Sequence, residues 1–331
     1  MGETTIRWAA TRQPDGTILP GYTFNSWIGC SKVSEGCQFC YAESQNKFYG
    51  WAPEGWGPGK ARKLTSAANH KKPLAWAKAA AKAGVTRRVF GNSLNDILDP
   101  EVPQSWRDEY FELIDACGAI GGLEWLLLTK RIEHAAEMLP ARWLANPPAY
   151  VRLGVTAENQ RRANERIILM LKTWRGKNFV SCEPLLETIE LWNLPDGSWW
   201  DKEGANCYDA LAGIAFWSNG DTGLGGGPKI QWLIGGGESG SKARITPLNA
   251  VGRLRTQAQS ESVPFMWKQW GEWIPEPQFG PVRDRLQRDK IIKAPYLAQE
   301  IDGTHYLRVG KTLAGHLLDG REYMEFPEAN L

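Results

Sequence analysis

From residue 73 to residue 268 the chain alternates two kinds of segment. Residues 73–83 (PLAWAKAAAKA) are Ala-rich, open on a proline suited to a first helical turn and stop at Gly84. Residues 103–117 place Trp106, Tyr110, Phe111, Leu113 and Ile114 at helical intervals. Between these two predicted helices, residues 88–94 (RVFGNSL) read as a strand that ends in polar residues. The unit then recurs. Residues 125–129 (WLLLT) run into Lys130 and Arg131 and a short helix to Leu139, and residues 151–155 (VRLGV) into Thr156, Glu158, Asn159 and a helix over 161–174. Residues 178–181 (NFVS) lead to Cys182, Glu183 and Pro184. Residues 230–234 (IQWLI) lead to the glycine-rich stretch 235–240 (GGGESG), a helix over 249–260 and a last strand over 264–268 (PFMWK).

Continuous apolar strands separated by helices predict a parallel sheet covered on both faces. With a first strand near residues 22–28 there are about seven strands, and polar residues at their carboxyl ends favour an α/β fold of the (β/α) TIM-type barrel kind, full or partial. A doubly wound open sheet is the alternative. Its dinucleotide fingerprint is missing, since GGGPK at residues 225–229 precedes a strand instead of following one. The alternation lapses over residues 191–228, a segment with four tryptophans that reads as an insertion able to act as a lid, and again beyond residue 271. The expected organisation is a barrel core over 1–271 and a C-terminal extension over 272–331 packed on it.

Residues 25–42 (NSWIGCSKVSEGCQFCYA) make a poor strand and a poor helix, and they hold three of the six cysteines, Cys30, Cys37 and Cys40. Three thiolates within eleven residues suit one [4Fe-4S] cluster, the Cys-x2-Cys pair gripping adjacent irons and the longer spacer reaching a third. One iron is then open to an exchangeable molecule. Zinc is the alternative. A structural zinc site normally pairs two short-spaced couples, so its fourth ligand here would come from Cys117, Cys207 or one of four histidines.

The balance of 42% hydrophobic to 23% charged residues fits a globular protein with ample core, and no apolar run approaches the roughly 18 residues that span a bilayer. The start, MGETTIRWAATRQ, lacks a signal peptide's apolar region, so a cytoplasmic protein with reduced cysteines and no membrane association is expected. The net charge of +2 hides an asymmetry: residues 1–90 carry 13 Lys or Arg against 5 Asp or Glu, a net of +8, which leaves −6 for the remainder. A basic N-terminal third suits an anionic partner such as nucleic acid, although the same charge also makes an ordinary solvated face. Trp51, Trp56, Trp199, Trp200 and Trp217 sit beside Gly or Pro or in loop-like sequence, where an aromatic ring can stack on a base, while most tryptophans pack.

Cys37-Gln38-Phe39-Cys40 resembles the Cys-x-aromatic-Cys half of the radical S-adenosylmethionine (SAM) signature, with six residues before it where three are commoner. The blocks GCSKVSEGCQFCYAE, GNSLND, LLLTKR, GVTAEN, SCEPL, GGGESG, MWKQWG and AGHLLDGREYMEFP are similar, in order, to a family of phage and prophage three-cysteine, radical-SAM-like proteins. The resemblance covers most of the chain apart from the Trp-rich insertion. It implies a [4Fe-4S] cluster on Cys30, Cys37 and Cys40 whose open iron chelates the amino and carboxylate groups of SAM. It also implies reductive cleavage to methionine and a 5'-deoxyadenosyl radical that abstracts a substrate hydrogen. The electron would come from a donor such as flavodoxin or ferredoxin, in the cytoplasm of a phage-infected or lysogenic bacterial host.

On the same resemblance Phe39 lies against the adenine and Tyr41 beside the cluster, Asn92 and Ser93 hold the methionine amino group, and Thr129 and Lys130 neutralise the carboxylate. Thr156, Glu158 and Asn159 face the ribose hydroxyls, Ser181 and Glu183 are similar candidates, and Glu238 stands on the adenine side after three glycines. Each position has a structural alternative: a turn cap at Asn92 and Ser93, a surface charge at Lys130, a helix cap at residues 156–159, a rim ion pair at Glu183, a tight turn at Glu238. Cys182 is the candidate hydrogen donor, against the common small buried cysteine. The expected function is a radical SAM enzyme that modifies a nucleic-acid base, by rearranging an amino-acid adduct on a modified thymine in phage DNA hypermodification, with isomerase, transferase and lyase classes open. A radical DNA-repair lyase and a non-catalytic nucleic-acid-binding protein with a structural metal are the alternatives.

Overall fold

A computed structural model describes residues 1–195, 205–217, 225–280 and 298–327. Seven strands form one sheet in the order in which they occur in the chain: β1 Tyr22–Phe24, β2 Arg87–Gly91, β3 Leu123–Thr129, β4 Val151–Thr156, β5 Lys177–Cys182, β6 Leu233–Gly235 and β7 Phe265–Trp267. The pairings are parallel. Strand order never reverses, which removes the doubly wound alternative. Among the described residues β1 and β7 do not pair with each other, so the (β/α) barrel is a partial one.

Burial accounts for the alternation. Strands β3, β4 and β5 are buried at nearly every position, as a sheet covered on both faces requires. The longer helices among the described residues are α1 Tyr41–Tyr49, α2 Lys72–Lys82, α3 Gln104–Ile120, α4 Gln160–Thr173 and α5 Leu248–Ser260. Two expected strands are shorter than their apolar runs. The one expected over 22–28 leaves the sheet after Phe24, and Trp27–Ile28 pairs instead with Lys63–Leu64. The one expected over 230–234 begins only at Leu233, because the Ile230 amide donates to the Ala210 carbonyl.

By its contacts the chain forms two compact units. One comprises Met1–Thr156, Leu169–Phe179 and the segment from Phe326; the other comprises Ala157–Ile168 and Val180–Glu325. In the second, the expected insertion is not a plain loop. Leu194–Pro195, Cys207–Asp209 and Ile214–Phe216 form an antiparallel sheet with Leu194, Tyr208 and Ala215 buried. Trp217 is half-buried; Trp199 and Trp200 lie outside the described residues. Trp273–Pro275, Ala298–Ile301 and Thr304–Arg308 make a further antiparallel sheet. The tail then runs along the edge of β7: the Trp267 amide donates to the Tyr323 carbonyl and the Glu325 amide to that of Phe265. This covers a backbone edge that would otherwise invite pairing with another chain.

The first unit carries a charged layer near the amino ends of its strands. Arg88, Glu124 and Arg152, each the second residue of its strand, are buried together. Glu124 pairs with Arg88 at 2.7 Å and with Arg152 at 3.1 Å, while Arg88 also donates to the Ala10 and Pro327 carbonyls and Arg152 to that of Asn178. Burial alone would raise the Glu124 carboxyl, but Arg88 and Arg152 hold it below its ordinary value. Its contribution is therefore present at neutral pH and lost as acid protonates it, below about pH 4. Glu124→Gln leaves two buried guanidiniums without their counter-charge and should cost about 3–5 kcal/mol in denaturant unfolding at pH 7. A loss under about 1 kcal/mol would contradict the assignment.

Candidate functional site

The cysteine loop begins where β1 ends, and Asn25 sets its course. The Asn25 side chain accepts from the Leu94 amide at 2.7 Å and donates to Ser93 Oγ at 2.8 Å, tying the carboxyl end of β1 to that of β2. Asn95 donates to both Asn25 Oδ1 and the Trp27 carbonyl. Gly29 then passes so close to the neighbouring backbone that a Cβ would lie 2.2 Å from the Gly55 carbonyl oxygen, and its φ is +121°. Glycine is required there. The approach lets the Cys30 amide donate to Gly55 and the Cys30 carbonyl accept from Gly57.

Two buried ion pairs hold the loop from below. Asp96 accepts from Thr129 Oγ1 at 2.7 Å, the Lys130 amide at 2.9 Å, the Leu98 amide at 3.0 Å and Arg131 Nη1 at 3.1 Å. Burial would raise this carboxyl, but Arg131 and those donors keep it below the usual carboxylate range. Arg131 continues outward to the Ser31 carbonyl at 2.8 Å, Ser31 Oγ at 3.0 Å and Cys30 Sγ at 3.4 Å. Arg62 does the same from another side, paired with Asp99 at 2.9 Å and donating to the Gly55 and Gly57 carbonyls and Ser31 Oγ. One guanidinium thus bridges the end of β3 to the first cysteine.

The three thiols are free and half-buried, but their surroundings differ. Burial pushes the Cys30 thiol up to about 12 despite Arg131 beside it. Cys40 is also raised by burial, against the Glu43 backbone amide and Lys130. Cys37 goes the other way. Burial would raise it too, but Lys130 and hydrogen bonds from the Val33 and Ser34 backbone hold it below the ordinary thiol value. The donor set fits a thiolate-ligated iron–sulfur cluster, with Lys130 and Arg131 supplying positive charge beside the sulfurs. Among the described residues no group of three Cys, His, Asp or Glu side chains is already placed to hold a metal ion, and a thiol must lose its proton before it can ligate one.

The other residues singled out in the sequence fall into two groups. In the first unit, the Tyr41 hydroxyl donates to the Ser93 carbonyl at 2.8 Å, which pins the start of α1 to the end of β2. Asn92, at φ +72°, a left-handed conformation that asparagine tolerates, accepts from the Tyr110 hydroxyl at 3.2 Å. Thr129 is buried against Asp96; Lys130 acts on Cys37 and Cys40; Phe39 is half-buried within the loop; Thr156 is buried at the end of β4. The loop, Tyr41, Asn92, Ser93, Thr129 and Lys130 are therefore gathered at the carboxyl ends of β1, β2 and β3.

In the second unit the polar candidates have protein partners. Glu158 is buried against Arg166 at 2.8 Å, and Asn159 accepts from the Arg162 amide as the cap of α4. Ser181 donates to Glu183, which pairs with Lys268 at 3.0 Å, and Arg244 grips Glu238 through its side chain and its own amide. Cys182 has no exposed surface, and burial with Glu183 and Glu158 nearby pushes its thiol up. Sequence reasoning missed Asn25, Asp96 and Arg131. Asp96 and Arg131 close the blocks GNSLND and LLLTKR, each a charge directly after a strand's polar end, and that position was the available signal.

In the metal-free protein at neutral pH, iodoacetamide should label Cys37 before Cys40 and Cys30, with Cys182 unlabelled until the protein unfolds, as read by peptide mass mapping. Cys40 and Cys30 should catch up as the pH rises. Labelling of Cys30 as fast as Cys37 would contradict this electrostatic arrangement.

No curated protein matches the chain. Solved structures to which it is similar include a spore photoproduct lyase double mutant with bound AdoMet and dinucleoside spore photoproduct, at 12% identity and a TM-score of 0.39, with 88% of this chain and 68% of that one covered. They also include a single mutant of spore photoproduct lyase with dinucleoside spore photoproduct, at 12% identity and a TM-score of 0.37, with 92% and 71% covered. A family model described as "Protein of unknown function (DUF5131)" matches residues 3–327, and the chain belongs to that family.

Proposed function

We propose that the protein is a radical SAM enzyme acting on a nucleic-acid base. The observation that carries this reading is the placement of Cys30, Cys37 and Cys40 on one loop after the first strand of a sequentially ordered parallel sheet, at the strand ends where (β/α) barrels place their chemistry. Cys30, Cys37 and Cys40 would hold the [4Fe-4S] cluster, which with SAM supplies a reductively generated carbon radical able to take a hydrogen atom from substrate. The chain's own residues bind and orient. Thr129 is held by Asp96, Lys130 would supply positive charge toward a carboxylate, and Ser93, whose hydroxyl accepts from Asn25 and whose carbonyl accepts from Tyr41, would accept from an amino group through the remaining lone pairs. Arg131 orients the loop through Ser31 and Cys30.

The basic N-terminal third supports a polyanionic substrate. Within this reading the substrate is a modified thymine in phage DNA and the reaction a rearrangement of its amino-acid adduct, with a flavodoxin- or ferredoxin-type electron donor. Anaerobically reconstituted protein given SAM and dithionite should form 5'-deoxyadenosine, and Cys40→Ala should lose both bound iron and product. Absence of the product from wild-type protein whose cluster is confirmed would sink the radical reading.

A further inference from the structure

We infer that the exposed aromatic patch at the end of α1 is a stacking platform for unpaired bases of a single-stranded nucleic acid. The inference rests on the nucleic-acid reading above and gives it a surface. Phe48 is 82% exposed and Tyr49 59% exposed. Tyr49 lies nearly parallel to Trp51, ring centroids 4.7 Å apart and planes 11° apart, and Phe48 meets Tyr49 edge-on at 4.8 Å. Three adjoining rings ordered against one another while two of them remain in water form an apolar surface of the kind that marks an interaction site. Flat, partly stacked rings offer the π-faces on which bases stack without regard to sequence.

Charge selects the partner. Glu43, the one carboxylate of α1, is met by both Lys47 at 2.7 Å and Lys32 at 3.3 Å, which leaves one positive charge in surplus at the helix that carries the rings. Exposed Lys63 donates to the Trp51 carbonyl at 2.6 Å and adds another, while Glu54 is balanced by Lys60 at 3.3 Å. A second copy of this chain would bring the same surplus charge against itself; a nucleic-acid strand brings phosphates and bases together. Position agrees. Helix α1 starts directly after Cys40 and is nine residues long, so at about 1.5 Å per residue it carries the patch about 13 Å from the last cysteine. That is the span of about four stacked bases, which places a nucleotide bound at Tyr49 within one short strand of the cysteine loop.

The test uses full-length reconstituted protein and a fluorescein-labelled single-stranded DNA of mixed sequence, read by anisotropy. Wild type should bind it. The variant with Phe48→Ala and Tyr49→Ala should bind it about 10- to 100-fold more weakly, with unchanged DNA-independent 5'-deoxyadenosine formation. Tyr49→Phe should retain affinity, and Lys63→Gln should flatten the salt dependence. If the double alanine variant binds DNA as well as wild type does, the platform is wrong and the nucleic-acid reading stands. If wild type binds neither DNA nor the matching RNA, the nucleic-acid reading falls and the platform with it. Gel filtration covers the remaining case: a wild-type dimer that the double variant dissociates would make the patch a self-contact and overturn the inference.

Discussion

A single buried carboxylate, Asp96, ties together the segments that surround the cysteine loop. It lies in the loop after β2, and it gathers the hydroxyl of Thr129, the amide of Lys130 and the guanidinium of Arg131 from the end of β3. A buried ion pair stabilises only when its geometry is complete, since the desolvation of each charge rivals their attraction. Here Asp96 has donors on both oxygens, and Arg131 also donates to Ser31 and Cys30. The first cysteine is thereby positioned by an interaction made between two other strand ends.

The same strands carry a second charged layer, Arg88, Glu124 and Arg152, near their amino ends. The two layers do different work. The Glu124 layer is enclosed by backbone carbonyls, including those of Ala10 and Asn178, and its groups serve packing and register. The Asp96 layer hands its positive charge outward to sulfur. This agrees with the general division of (β/α) barrels, in which the amino ends of strands serve stability and the carboxyl ends serve chemistry.

The sheet was legible because burial on both faces writes a continuous apolar run, as in WLLLT and VRLGV. Its open, partial form was not, since closure depends on whether β1 and β7 meet. The antiparallel sheet within residues 191–228 was invisible for a different reason: strands of two or three residues are too short to show a period of two. At the site, cysteine spacing made residues 25–42 an expected metal loop, and the polar ends of strands singled out Asn92, Ser93, Thr129 and Lys130, which lie together at the carboxyl ends of β2 and β3. The partners of charges were not legible. Glu158 with Arg166, Glu238 with Arg244 and Asp96 with Arg131 are chosen by the fold, and a charge in a sequence does not say which neighbour will neutralise it.

The proposal stands on whether these three thiols hold an iron–sulfur cluster with one iron left for SAM. The direct measurement is iron and acid-labile sulfide content of the anaerobically reconstituted chain, followed by the electron paramagnetic resonance spectrum of the reduced protein before and after SAM is added. About four irons and four sulfides per chain and a reduced signal that changes on adding SAM are expected. Zinc without sulfide, or a reduced signal indifferent to SAM, would contradict it.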